Sequence, residues 1–189
     1  MATVHYREVI RFFAEKFNYN SYLELGIRDA SNCFNHIPCE VKEGVDIKPD
    51  CSPTWCMTTD EYFSTVGNEK TWDLIFIDAS HEKNQVMRDF ENSLKRLNKN
   101  GTIIMDDINP TEAWLLNPEF CDNAWETFGE LGKRSNLEMH AIIGTYAGYV
   151  RVGKQTPHQL NIESTYEFLD THREELVRPI TYDELILKF

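Results

Sequence analysis

The 189-residue chain predicts an α/β fold: a mostly parallel sheet with helices on both faces and an antiparallel terminal hairpin. Three observations carry this reading. Short apolar runs alternate with segments of helical spacing, the pattern of β-α-β units joined by right-handed crossovers. Two of the runs, Trp72-Asp-Leu-Ile-Phe-Ile-Asp78 and Gly101-Thr-Ile-Ile-Met-Asp106-Asp107, stop at carboxylates, which would emerge on the carboxyl rim where open α/β sheets bind ligands. Two β-rich runs flank Gly144 closely enough to pair as a hairpin.

The elements follow in order. Val9, Phe13 and Phe17 recur at helical spacing, so residues 1–18 form an amphipathic helix against the sheet. Residues 21–26 make a first strand that breaks at Gly26, and a short helix spans 30–36. A second strand covers 41–47, a loop with turn residues covers 49–53, and a third strand lies near 54–57. Thr59-Asp-Glu opens a helix with acids in its first turn, where the dipole favours them. After the fourth strand at 74–77, Val86, Phe90, Leu94 and Leu97 form one helical stripe that ends at Asn98-Lys-Asn-Gly101. The fifth strand covers 102–105. Residues 110–133 are an aromatic-rich excursion, helical in its second half, and 137–143 and 146–152 are the hairpin strands. Residues 154–189 read as a helix and a tail.

A formal charge of -12 argues against a nucleic-acid backbone as partner and against polybasic attachment to a membrane. A small-molecule or peptide partner fits better. No apolar run reaches the roughly 20 residues that cross a bilayer, and none near the start reads as a signal peptide, so the expected location is cytoplasmic. Five cysteines, Cys33, Cys39, Cys51, Cys56 and Cys121, are an odd set without Cys-x-x-Cys spacing and are expected to be reduced thiols.

The first strand ends Glu24-Leu25-Gly26-Ile-Arg28, with one glycine where a dinucleotide fingerprint wants three. That counts against a nicotinamide oxidoreductase. An acid two residues before the glycine, with Asp46 closing the next strand about 20 residues on, suits a ligand bearing a ribose diol.

From Tyr22 to Asp107 the order and spacing of these features resemble class I S-adenosylmethionine-dependent methyltransferases. Leu23-Glu24-Leu25-Gly26 is similar to their first motif, Asp46 to their ribose-binding acid, Met57-Thr58-Thr59-Asp60 to their adenine-side segment, and Ile77-Asp78-Ala79-Ser-His81 to the motif after strand four. The resemblance implies a Rossmann-like, seven-stranded sheet in a single domain 1–189, with a cofactor-binding core at 19–153 and a possible lid at 110–135. It also implies cofactor contacts from Glu24, Leu25, Gly26, Arg28, Asp46, Thr58, Asp78 and Ala79. Arg28 and Ala30 stand where many relatives carry glycine; Arg28 either crowds the methionine moiety or reaches its carboxylate.

Within that class, Asp78 with Asp106-Asp107 resembles the metal-dependent O-methyltransferases, including the catechol, caffeoyl-CoA and macrolide-tailoring enzymes. The resemblance implies a Mg²⁺ or other divalent cation on Asp78, Asp106 and Asp107, oxygen donors that suit a hard ion. It makes Asp78 and His81 the catalytic candidates, His81 as the base for an acceptor hydroxyl. About 22 residues precede the first motif, so a lid would come from 110–133, the C-terminal segment or a second copy in a homodimer.

Simpler roles stay open beside each of these. His81 also fits a helix-start histidine beside Glu82, Asp106 and Asp107 fit loop caps before Pro110, and Trp114, Trp125 and Phe128 fit ordinary core packing. A metal-independent N- or O-methyltransferase and a non-catalytic S-adenosylmethionine-binding regulatory module are the alternative functions.

Overall fold

The computed structural model describes residues 4–189. The first three residues of the expected N-terminal helix lie outside them. Seven strands form one sheet in the order β3-β2-β1-β4-β5-β7-β6: β1 (Ser21–Leu25), β2 (Val41–Asp46), β3 (Trp55–Cys56), β4 (Trp72–Ile77), β5 (Leu97–Met105), β6 (Leu137–Ala141) and β7 (Gly148–Val152). The pairs from β3 through β5 are parallel, and β7 runs antiparallel to both β5 and β6. The expected hairpin therefore exists, with its second strand as the inner one.

Strand alternation sorts the core into two layers. Leu23, Leu25, Ile75, Ile77, Ile103 and Met105 pack on one face with Phe63, Val86, Phe90, Trp125 and Phe128. Those partners come from α2 (Thr59–Ser64), α3 (Lys83–Lys95) and α4 (Ala124–Leu131). Tyr22, Leu74, Phe76 and Ile104 point to the other face, against Val9, Ile10 and Phe13 of α1 (Tyr6–Lys16) and Leu185 near the C-terminus. Helices thus cover both faces, and the strand ends converge on one open rim.

Three expectations on elements need correction. Residues 30–36 form turns and a single 3₁₀ turn at Phe34–His36, because Asp29 accepts from the Ser31 amide and hydroxyl and so offers the backbone a local alternative to a helix. β5 begins at Leu97, five residues early: its register against β4 shifts at Trp72/Leu74, and Asn100 takes a left-handed conformation there (φ 67°). The C-terminal region is three short helices, α5 (Tyr166–Thr171), α6 (Arg173–Leu176) and α7 (Tyr182–Lys188), restarted by the caps Thr165 and Thr181.

Between α6 and α7 the chain covers the free edge of β6. Ala141 donates to the Val177 carbonyl (2.8 Å), and Ile180 donates to Ala141 (2.9 Å). At its last residue the outer strand is therefore not an open template for pairing. All five cysteines are free thiols, and among the described residues no helix is long and apolar enough to cross a membrane.

Candidate functional site

Backbone bonds align the ends of β2, β1, β4 and β5. Gly26 donates to the Val45 carbonyl (2.8 Å), Asp78 to Leu25 (2.8 Å) and Asp106 to Ile77 (3.0 Å). Each strand consequently delivers its terminal residue to the same rim. Gly26 has φ of 89°, a region side chains disfavour, and a Cβ there would fall 2.2 Å from the Asp78 carbonyl oxygen. Glycine lets β1 and β4 close together at this point.

Asp46 is held by backbone amides. Its Oδ2 accepts from Ile27 and Arg28, both at 3.0 Å, and its Oδ1 accepts from Lys48 at 2.8 Å. Burial acts to raise its pKa, but the amide donors outweigh it and hold the carboxyl below its ordinary range. Beside it lies a cavity of about 240 Å³ bordered by Gly26, Asp46, Met57, Thr58, Ala79 and Gln85. Thr58 caps α2 by accepting from the Glu61 amide (3.1 Å).

Across segments 26–28 and 78–81 lies a second cavity of about 230 Å³, lined by Glu24, Arg28, Asp78, His81, Asp106 and Asp107 among others. His81 Nε2 lies 3.0 Å from Asp107 Oδ2 and 3.9 Å from Asp78 Oδ1. One donor atom from each of Asp78, His81 and Asp107 lies within 4.8 Å of the other two. Asp106 stands beside this group rather than in it, its Oδ1 accepting from the Asp107 amide (3.0 Å). The set brought together is thus two carboxylates and an imidazole, where three carboxylates were expected.

Crowded acids are electrostatically costly here. Desolvation, then the charges of Asp106, Asp107 and Glu24, push the Asp78 pKa well above the carboxylate range, with Arg28 pulling it back. Burial and Asp107 push Asp106 up to about 7. Burial raises Asp107 as well, opposed by His81 and by the Cys121 thiol, which donates to Asp107 Oδ1 (3.1 Å). Glu24, buried and accepting from the Tyr22 hydroxyl at 2.5 Å, is raised to about 7 by desolvation. Among the described residues, His81 supplies the sole basic nitrogen within 4.0 Å of Asp78 or Asp107. Two hard oxygen donors and an imidazole, with no lysine or arginine nitrogen within 4.0 Å of either carboxylate among the described residues, fit a divalent cation.

The expected lid divides. Residues of α4 are core, with Trp125 and Phe128 almost fully buried, so the second half of 110–133 is packing. Trp114 and Phe120 remain at the rim as an exposed edge-to-face pair, 5.1 Å apart. Leu115, Phe120 and Cys121 line the acidic cavity. Tyr6 and Tyr146 line it too, and with Asp106, Thr111 and Gly144 they border a further opening of about 570 Å³. Neither Tyr6 nor Cys121 carries any local signal of a site; Tyr6 arrives because its ring stacks on Phe76 of β4 (5.3 Å).

A sheet of this strand order, mostly parallel with an antiparallel end and flanked by helices, is the Rossmann-like fold of class I S-adenosylmethionine-dependent methyltransferases. The methyltransferase-domain family matches residues 7–108, more than half of the chain, and the protein belongs to it. No curated protein sequence matches the chain.

Solved structures agree on the fold. A candidate caffeoyl-CoA O-methyltransferase from Staphylococcus aureus superposes with a TM-score of 0.61 at 15% identity, covering 81% of this chain and 85% of its own. An O-methyltransferase from Bacillus cereus in complex with S-adenosylhomocysteine gives 0.57 at 13% identity, over 79% and 82%. The N-methyltransferase NodS from Bradyrhizobium japonicum gives 0.52 at 14%, over 80% and 93%. At such identities the likeness establishes architecture and leaves the acceptor to the chemistry of the site.

Proposed function

We propose that the protein transfers the methyl group of S-adenosylmethionine to a hydroxyl of a small molecule, with a divalent cation beside Asp78 and Asp107. The carrying observation is the convergence of Asp78, His81 and Asp107 within 4.8 Å, next to the cavity bordered by Gly26, Asp46 and Thr58. In this reading the nucleoside half of the cofactor would be held by Asp46, Thr58 and Ala79, against the Leu25-Gly26 strand end. Glu24 and Arg28 line the acidic cavity next to it, where the methionine half would lie. Arg28 is exposed, and the guanidinium suits the methionine carboxylate.

A cation held by Asp78 and Asp107 would supply Lewis-acid and template chemistry toward an acceptor hydroxyl. The chain's own contribution is orientation and proton acceptance. Asp107 Oδ2 lies 3.0 Å from His81 Nε2, close enough for the carboxylate to favour the imidazolium that a general base forms. The 3.9 Å approach of the same nitrogen to Asp78 favours a second reading, with His81 as third ligand. Tyr6, Asp106 and Tyr146 border both the acidic cavity and the larger opening, the path by which an acceptor body would reach the site.

The test is release of S-adenosylhomocysteine from S-adenosylmethionine with a panel of phenols, catechols and sugars, with Mg²⁺, with Mn²⁺ and with EDTA. Metal-dependent release with a hydroxyl acceptor is expected. Turnover indifferent to EDTA, or confined to amines, would assign the chain to metal-independent or N-methyl transfer.

A further inference from the structure

We propose that Cys121 is a positioning residue for Asp107, its S–H group selecting which carboxylate oxygen is offered to the cation; the inference rests on the metal reading above. Among the described residues only one oxygen of Asp107 accepts from a side chain, Oδ1 from Cys121 Sγ (3.1 Å), while Oδ2 lies 3.0 Å from His81 Nε2 on the side of the proposed cation. The thiol thereby occupies one oxygen and leaves the other facing His81. Asp107 itself sits in the left-handed backbone region (φ 60°), just past the end of β5.

Cys121, by contrast, is rigidly placed. It is almost fully buried, its amide donates to the Leu115 carbonyl (2.9 Å), and its carbonyl accepts from Ala124 at the first residue of α4 (3.2 Å). α4 is anchored in the core by Trp125 and Phe128. The thiol therefore carries the rigidity of the core to a carboxylate on the rim, the role that hydrogen-bonding partners of metal ligands commonly play. Loss of such a partner typically lowers metal affinity about 10- to 100-fold.

Calorimetric titration of Mn²⁺ into the full chain, saturated with S-adenosylhomocysteine, tests this with Cys121→Ala and Cys121→Ser. The expected result is Mn²⁺ binding by the wild type, affinity at least about 10-fold weaker in Cys121→Ala, and recovery to within about 3-fold in Cys121→Ser, which keeps a donor. S-adenosylhomocysteine affinity should stay the same in all three. Equal Mn²⁺ affinity in Cys121→Ala and wild type overturns the inference, and so does equal weakening in the Ser and Ala variants, which would mark a packing role. If Cys121→Ala does not fold, Cys121→Val, near in volume and without a donor, takes its place under the same criteria. Failure of the wild type to bind Mn²⁺ overturns the metal reading itself, and the two failures are thereby distinguished.

Discussion

Gly26 and Asp78 touch where β1 meets β4: the Leu25 carbonyl accepts the Asp78 amide at 2.8 Å, and a Cβ on Gly26 would sit 2.2 Å from the Asp78 carbonyl oxygen. Gly26→Ala must therefore push the strand ends apart or adopt another backbone, and it starts from φ of 89°. Backbone strain of this kind alone costs about 1–3 kcal/mol. Thermal unfolding should fall by roughly 2–4 °C for each kcal/mol lost. S-adenosylhomocysteine binding, followed calorimetrically, should weaken at least about tenfold because both cavities border this junction. Unchanged melting and binding would show that the close approach relaxes freely.

Asp46 stabilises the turn after β1 as well as presenting its carboxylate. Three amides, from Ile27, Arg28 and Lys48, donate to it. In Asp46→Ala all three lose their acceptor, at a cost of about 1–3 kcal/mol after partial rescue by water. Affinity for S-adenosylhomocysteine should drop more than the melting temperature implies, while Mn²⁺ binding, which depends on the neighbouring cavity, should persist. Loss of Mn²⁺ binding in this variant would mean that the two halves of the rim are not separable.

How much of the fold and site was legible in the sequence depends on how local each signal is. Asp78 and Asp106-Asp107 stand out because a buried strand that ends in carboxylates must surface them on the sheet's rim, and Asp46 because it closes the next strand. The imidazole in the donor set was legible only as a base candidate: that His81 reaches Asp107 depends on β4 and β5 being neighbours, which spacing alone does not state. Tyr6 and Cys121 were not legible at all. Tyr6 meets the site by stacking on Phe76, seventy positions along the chain, and Cys121 by a turn over Leu115. The excursion at 110–133 stayed open between lid and core, since Trp125 and Phe128 suit both by composition, and their burial places these two in the core.

Asp89 gives a pH signature away from the acidic cavity. It is fully buried on α3, its Oδ1 accepts from Gln85 (3.0 Å), and its Oδ2 has no hydrogen-bond partner among the described residues. Desolvation raises its pKa from the ordinary 3.8 to about 6, partly opposed by Thr59 and Gln85. Because the folded value lies above the unfolded one, the native state binds the proton more tightly. The associated stability is full below about pH 4 and is lost as pH rises to about 6. Asp89→Asn removes this titration. The melting temperature of the variant relative to wild type should therefore rise between pH 4 and pH 7, corresponding to roughly 1–3 kcal/mol. A difference that stays flat with pH would mean that the carboxylate is ionised at no cost.

His81 provides the decisive kinetic experiment, because its two readings part under saturating metal. If the imidazole, oriented by Asp107 at 3.0 Å, takes the acceptor proton, His81→Gln removes a base and keeps the neighbouring carboxylates. kcat should then fall by about 10²–10⁴-fold even when Mn²⁺ is raised until the rate no longer changes, with KM for S-adenosylmethionine unaltered. If His81 is a ligand, the principal defect lies in metal affinity, and enough Mn²⁺ restores most of the rate. Nε2 lies 3.0 Å from Asp107 and 3.9 Å from Asp78, a spacing that serves both readings, so the metal titration decides between them. Full rescue by Mn²⁺ would overturn that role and place His81 beside Asp78 and Asp107 as a third donor to the cation.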